Sequence, residues 1–175
     1  HGLGTDMLAD GLGSTIDYPG YVADPYNNMP WALSNLYWEQ NFLDYRFTVL
    51  AGLLDATDYT NVYALMDPWT DFFNLAFSND LTIPIPDPGL GIALFAQFTD
   101  NLYILGSLVD ANGDPTKPLE NFNSFFGDAE YFSSIEAGWF KSLATGYSDN
   151  IHLTFWHAAE RRHEGVTAGW GLAFS

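Results

Sequence analysis

Three things are missing or scarce in this chain. It has no cysteine, which excludes disulfides, thiolate metal sites and thiol nucleophiles. Positive charge is scarce: five Lys and Arg stand against 22 Asp and Glu, a net charge of −17. Nucleic-acid binding rests on basic patches, so this balance argues against it. No stretch approaches the roughly 18 apolar residues that a membrane-crossing helix needs. The chain starts at His1 and shows no signal peptide, so it reads as a processed chain or a fragment. It also lacks a GxSxG elbow, a Gly-rich phosphate loop and a Cys/His pair, which makes catalysis a poor expectation.

What the chain has instead is aromatics and alternation. Phe, Trp and Tyr make up 17 % of residues, an excess that calls for interfacial girdles, sugar platforms or core packing. Alternate side chains of a strand point to opposite faces. In Gly89–Phe98, Leu90, Ile92, Leu94, Ala96 and Phe98 share one face, with Gly89, Gly91, Ala93, Phe95 and Gln97 on the other. In the last segment Val166, Ala168, Trp170, Leu172 and Phe174 oppose Gly165, Thr167, Gly169, Gly171 and Ala173. One greasy face and one small or polar face is how transmembrane β-barrels are written, with lipid outside and water inside.

Residues 1–31 read as loop, rich in Gly, Asp and Pro. Seven strands follow, over 32–40, 44–53, 89–98, 102–109, 130–140, 150–158 and 165–175. The first hairpin turns at Asn41-Phe42-Leu43 and places Glu39 and Arg46 on one inner face; the second turns at Thr99-Asp100-Asn101. Residues 54–88 and 110–130 are long loops. Pro84, Pro86 and Pro88 keep 83–88 out of a central strand. Within the first loop, 67–79 is either a short helix or a segment that folds inward. Short turns alternating with long loops are the asymmetry of an outer-membrane barrel. An open sheet with unpaired edges is not viable in lipid. The whole chain, 1–175, therefore reads as all-β, part of one antiparallel transmembrane β-barrel domain.

A pore for sugars needs aromatic faces for the C–H sides of the ring and charged or amide groups for its hydroxyls, in contacts weak enough to permit leaving. The candidate lumen-facing contacts are Asn35, Tyr37, Glu39, Arg46, Glu136 and Trp156. Lining a wet lumen or pairing across strands is an equally good reading of Glu39, Arg46 and Glu136. Trp38, Trp139 and Trp170 belong at the membrane interface, where an amphipathic ring is favoured, or in a soluble core. Asp110-Ala111-Asn112-Gly113-Asp114 has the alternate oxygens of a calcium loop. Pro115 takes the required Gly position and Asn121 the required Glu position, so an Asx-rich turn is the better reading. Arg161-Arg162 reads as a solvated turn, and the four His residues show no zinc spacing.

Leu36-Tyr37-Trp38-Glu39-Gln40, followed by Arg46-Phe47-Thr48-Val49-Leu50-Ala51-Gly52-Leu53-Leu54-Asp55, resembles the carbohydrate-selective porins of the OprB type. In that family a YxEQ-like strand passes through a short turn into an RxG-like strand ending in Leu-Asp. Phe72-Phe73-Asn74-Leu75-Ala76-Phe77-Ser78-Asn79, Leu108-Val109-Asp110-Ala111-Asn112, Phe155-Trp156-His157 and the opening His1-Gly2-Leu3-Gly4 continue the likeness in the family's order. The resemblance implies a sixteen-strand outer-membrane barrel, of which this chain is a central portion. It implies passive, carbohydrate-selective diffusion of small sugars, with no enzyme activity, no cofactor and no metal. The implied partners are small carbohydrates and outer-membrane lipid; homotrimers are common among porins. The rival expectation is a soluble β-rich carbohydrate-binding module, or a glycoside hydrolase with Glu39 and Glu136 as its carboxylate pair, which must lie within about 5–9.5 Å.

Overall fold

The computed structural model describes residues 31–61, 80, 82–141, 150–161 and 167–175. Seven strands form one antiparallel sheet in strict chain order: β1 (Leu36–Phe42), β2 (Phe47–Leu54), β3 (Gly89–Gln97), β4 (Leu102–Asp110), β5 (Tyr131–Phe140), β6 (Asn150–Ala158) and β7 (Gly169–Phe174). Each strand pairs with its sequence neighbours, so among the described residues β1 and β7 each have a single strand partner. The connections β1–β2 and β3–β4 lie at one end of the sheet and are short. The connections β2–β3 (55–88), β4–β5 (111–130) and β6–β7 (159–168) lie at the other end and are longer.

The expected strands are all present, with shifted ends. β1 begins at Leu36 rather than at 32, because the chain before it is used otherwise. The Leu33 amide donates to the Pro115 carbonyl at 2.8 Å, and the Asn35 side chain bonds Asp55 and Asp58. The first turn falls two residues later than expected. Phe42 pairs with Phe47 across the ladder, their ring centroids 5.8 Å apart. The chain then reverses through Leu43, Asp44 and Tyr45, all with left-handed φ (52°, 53° and 66°). Of the last segment, Gly169–Phe174 is strand, residues 167–168 are not, and Val166 lies outside the described residues. Segment 67–79 likewise lies outside them. The loop after β4 contains one α-helical turn (Asn121–Asn123) running into a π-helical turn (Ser124–Asp128), closed by left-handed Ala129.

Register makes the two faces explicit. One row across the sheet reads Gln40, Val49, Leu94, Gly106, Ile135, Phe155, Leu172; another reads Phe42, Phe47, Ala96, Ile104, Ala137, Leu153, Phe174. Large apolar side chains of this face are open: Leu94 is 42 % exposed, Ile135 54 % and Leu172 64 %. Trp38, Trp139 and Trp170 are exposed on this face too. So wide an apolar surface exceeds what a monomeric soluble protein leaves in water.

The opposite face is covered. Both ends of the β2–β3 connection lie on it. Ala56 and Ile83 pack with Val109, Phe132, Ala158 and Ala173, with Ile85 and Trp156 against them. Tyr59 packs on Leu50, Leu54 and Ala93. Adjacent residues of β5 show the contrast: Glu136 is 3 % exposed and Ile135 54 %.

Candidate functional site

The covered face carries a polar cluster at its centre and an open cleft beside it. Glu136, on β5, is the centre. Its Oε1 accepts from the Tyr103 hydroxyl at 2.7 Å. Its Oε2 accepts from the Thr154 hydroxyl at 2.7 Å and from the Asn61 amide at 2.9 Å. A buried carboxylate is tolerated only when its oxygens are satisfied in this way. Asn61 is buried and holds a left-handed φ of 51°, a conformation that Asn adopts more readily than most residues. Its Oδ1 accepts from His152 Nε2 at 2.8 Å and from the Ser175 hydroxyl at 3.3 Å. Thr60 extends the cluster through Ser134 to Ser107, at 3.3 and 2.7 Å. The segment after β2 is thus fastened to the middle of β4, β5 and β6.

That segment begins with a helical turn, Ala56–Asp58, capped by the Asp55 carboxylate, which accepts from the Thr57 amide. Asn35 ties it to the start of β1, donating to Asp58 at 3.1 Å and accepting from the Asp55 amide at 3.1 Å. Burial raises the Asp55 carboxyl above its ordinary range, against the pull of its Thr57 hydrogen bonds. Asp58 stands at the open rim; the partial burial of its carboxyl, then the neighbouring Asp55, push it up to about 6. Burial, then the adjoining Tyr37 hydroxyl, also raises the Tyr59 phenol.

Between this segment and the sheet lies a cleft of about 540 Å³. Tyr37, Tyr59, Phe95, Tyr103 and Phe140 supply aromatic walls, and Glu39, Asp58 and Glu136 supply acids. Gly52 makes the β1 side of it possible. Its φ is 148°, and a Cβ there would stand 2.4 Å from the Leu36 carbonyl oxygen and 2.6 Å from Tyr37 Cα.

The structure brings three of the six expected contact residues, Tyr37, Glu39 and Glu136, to this cleft. Asn35 reaches its rim through Asp58. Arg46 points elsewhere: its guanidinium pairs with Asp100 at 3.0 Å, in the next short turn, with both side chains largely exposed. Trp156 is half-buried in the apolar cluster, its ring directly over Gly171. Glu39 and Glu136 stand four strands apart, about 19 Å measured along the sheet, and both oxygens of Glu136 are taken up by Tyr103, Thr154 and Asn61. Sequence reasoning missed Asn61, Thr60 and Tyr59, which sit in a connection without periodicity. It also missed His152 and Tyr103, whose only signal was their place on the small-residue face.

At the loop end, Asp110 and Asp114 each close an Asx turn. Asp110 accepts from the Asn112 amide at 3.0 Å and from Ser124 at 3.0 Å; Asp114 accepts from the Thr116 amide at 2.9 Å. The Thr116 hydrogen bond holds the Asp114 carboxyl below its ordinary value. One oxygen of each of these carboxylates is turned onto the backbone, and Asp114 Oδ2 lies 3.6 Å from Lys117 Nζ. Arg161, expected in a solvated turn, is instead buried, donating to the Pro84 carbonyl; Arg162 lies outside the described residues.

A search of curated proteins and a search of solved structures found no match. The model of the carbohydrate-selective porin, OprB family, matches residues 3–168. Porins of this family are β-barrels, in keeping with the seven-stranded meander. With that match over most of its length, and with one apolar and one lined face, the chain belongs to the carbohydrate-selective porin family, OprB.

Proposed function

We propose that these strands are part of the wall of an outer-membrane pore through which small sugars diffuse passively. The observation that carries this reading is the two-faced sheet: a continuous apolar face open to its surroundings, backed by a face with a polar, aromatic-lined cleft. Lipid covers the first and water fills the second. Tyr37 stacks on the C–H face of a passing sugar and Glu39 accepts from its hydroxyls. Glu136 holds the inward segment in place, and Asn35 holds that segment's rim. Arg46 and Trp156 line the same face away from the cleft. Trp38, Trp139 and Trp170 stand at the lipid–water boundaries.

The test is swelling of proteoliposomes containing the full-length protein in isosmotic monosaccharide. Swelling faster than in protein-free liposomes is the expected result. Swelling at the protein-free rate would contradict the pore.

A further inference from the structure

The ionisable side chains that line the cleft carry charge of one sign. None of its lining residues is basic. Residues 47–116, which supply β2, β3, β4 and the whole β2–β3 connection, contain nine Asp and no Lys, Arg or His. Six of those Asp (55, 58, 67, 71, 80 and 87) belong to the connection itself, whose first residues pack over the cleft. The two basic residues that flank this stretch both face acids: Arg46 pairs with Asp100 at 3.0 Å, and Lys117 lies 3.6 Å from Asp114 and 3.7 Å from Glu120. Glu39 and Asp58 stand on the open side of the cleft, where among the described residues their carboxylates accept from the neutral amides of Asn41 and Asn35. Their negative charges face the passage next to the rings of Tyr37, Tyr59 and Phe95.

Carboxylates in a cleft with low-dielectric walls focus a negative field into it. Aromatic faces add attraction for an ammonium group. A saccharide carrying a protonated amine meets both, a neutral sugar meets only the stacking surface, and a uronate is repelled. We infer that this cleft selects cationic saccharides, the protonated 2-amino-2-deoxyhexoses, over neutral and anionic sugars of the same size. The inference rests on the pore reading above, and Glu39 and Asp58 are its specificity-determining residues.

The test compares uptake of glucosamine, glucose and glucuronate at pH 7.0, where the amine is mostly protonated, into proteoliposomes of the full-length protein, together with the zero-current potential across a planar bilayer in a KCl gradient. Glucosamine should enter about two- to fivefold faster than glucose, and glucuronate slowest. The zero-current potential should carry the sign of K⁺ preference. In Glu39→Gln combined with Asp58→Asn, the three rates should converge and the potential should move toward zero. Both side chains are exposed, and heat-modifiable migration on gels confirms that the variant is folded. If the variant does not fold, the wild-type rates and potential decide the matter alone. Equal entry of the three sugars with no K⁺ preference would overturn the inference and leave the pore standing. Entry of none of them would overturn the pore reading itself.

Discussion

Glu136 shows what one residue does here. Its two oxygens take hydrogen bonds from Tyr103, Thr154 and the Asn61 amide, so removing the carboxylate strands the Asn61 amide and leaves Tyr103 and Thr154 only their longer contacts to Asn150 and Asn61. Glu136→Leu should cost about 3 kcal/mol or more in urea unfolding from detergent or lipid, with Glu136→Gln costing clearly less. A loss under about 0.5 kcal/mol for the Leu variant would mean that the segment is not held there. Gly138→Ala attacks the same cluster from another side. A Cβ at 138 would lie 2.3 Å from the Tyr103 ring, and the displaced ring loses Glu136; about 1–3 kcal/mol should follow, read in the same unfolding experiment. Asp58 supplies the pH dependence. Its carboxyl is raised from 3.8 to about 6, so between those values the folded protein holds a proton that the unfolded chain has released. Stability contributed by this group is therefore present at low pH and falls as pH rises through about 6. The sign for permeation is the reverse. Below about pH 6 Asp58 becomes neutral beside Asp55, Asn35 and Tyr59, and the zero-current potential should shift away from K⁺ preference. Asp58→Asn should flatten that shift, and a shift unchanged in the variant would assign the titration to another group. The inward face of Glu136 was legible from alternation alone. Its partners Asn61 and Thr60 were not, because a connection that docks by hydrogen bonds leaves no period in the sequence.

At the scale of elements, the strands were legible because period-two patterning and pairing point the same way. Leu90, Ile92 and Leu94 fall on the open face as the alternation requires, and the β3–β4 turn is where Thr99-Asp100-Asn101 places it. The ends were less legible because partners outside the strand decide them. Asn35 could have continued β1, but it is engaged by Asp55 and Asp58; Phe42 reads as a turn residue until Phe47 pairs with it. The open face makes its own prediction. Ile135→Arg, in the middle of β5, should destabilise the protein in bilayers by about 2–4 kcal/mol, as charge does near the midplane on the lipid side of a barrel. A loss below about 1 kcal/mol would place Ile135 in water. The aromatics divide between the faces: Trp38, Trp139 and Trp170 on the open one, Tyr59, Tyr103 and Phe95 around the cleft. Composition revealed the excess of rings but not this division, which register alone determines.

For the whole molecule, the account joins an acidic composition to a wall with two solvents. The net charge of −17 argues against polyanionic partners, and nine of the 22 acids lie in the base-free stretch 47–116. The same stretch builds β2 and β3 and packs the start of their connection over the cleft. The central claim is that one face of this sheet meets lipid and the other meets water. Its most direct test uses the absence of cysteine from these residues. Single variants Leu94→Cys, Phe95→Cys, Ile104→Cys and Leu105→Cys, in proteoliposomes of the full-length protein, are exposed to a membrane-impermeant maleimide. Leu94 and Ile104 are 42 % and 37 % exposed on the apolar face, so protein burial does not shield them; Phe95 and Leu105 line the cleft. The account predicts labelling at 95 and 105 and protection at 94 and 104 until the lipid is removed by detergent. Equal labelling at all four positions in intact membranes would place both faces in water and contradict it.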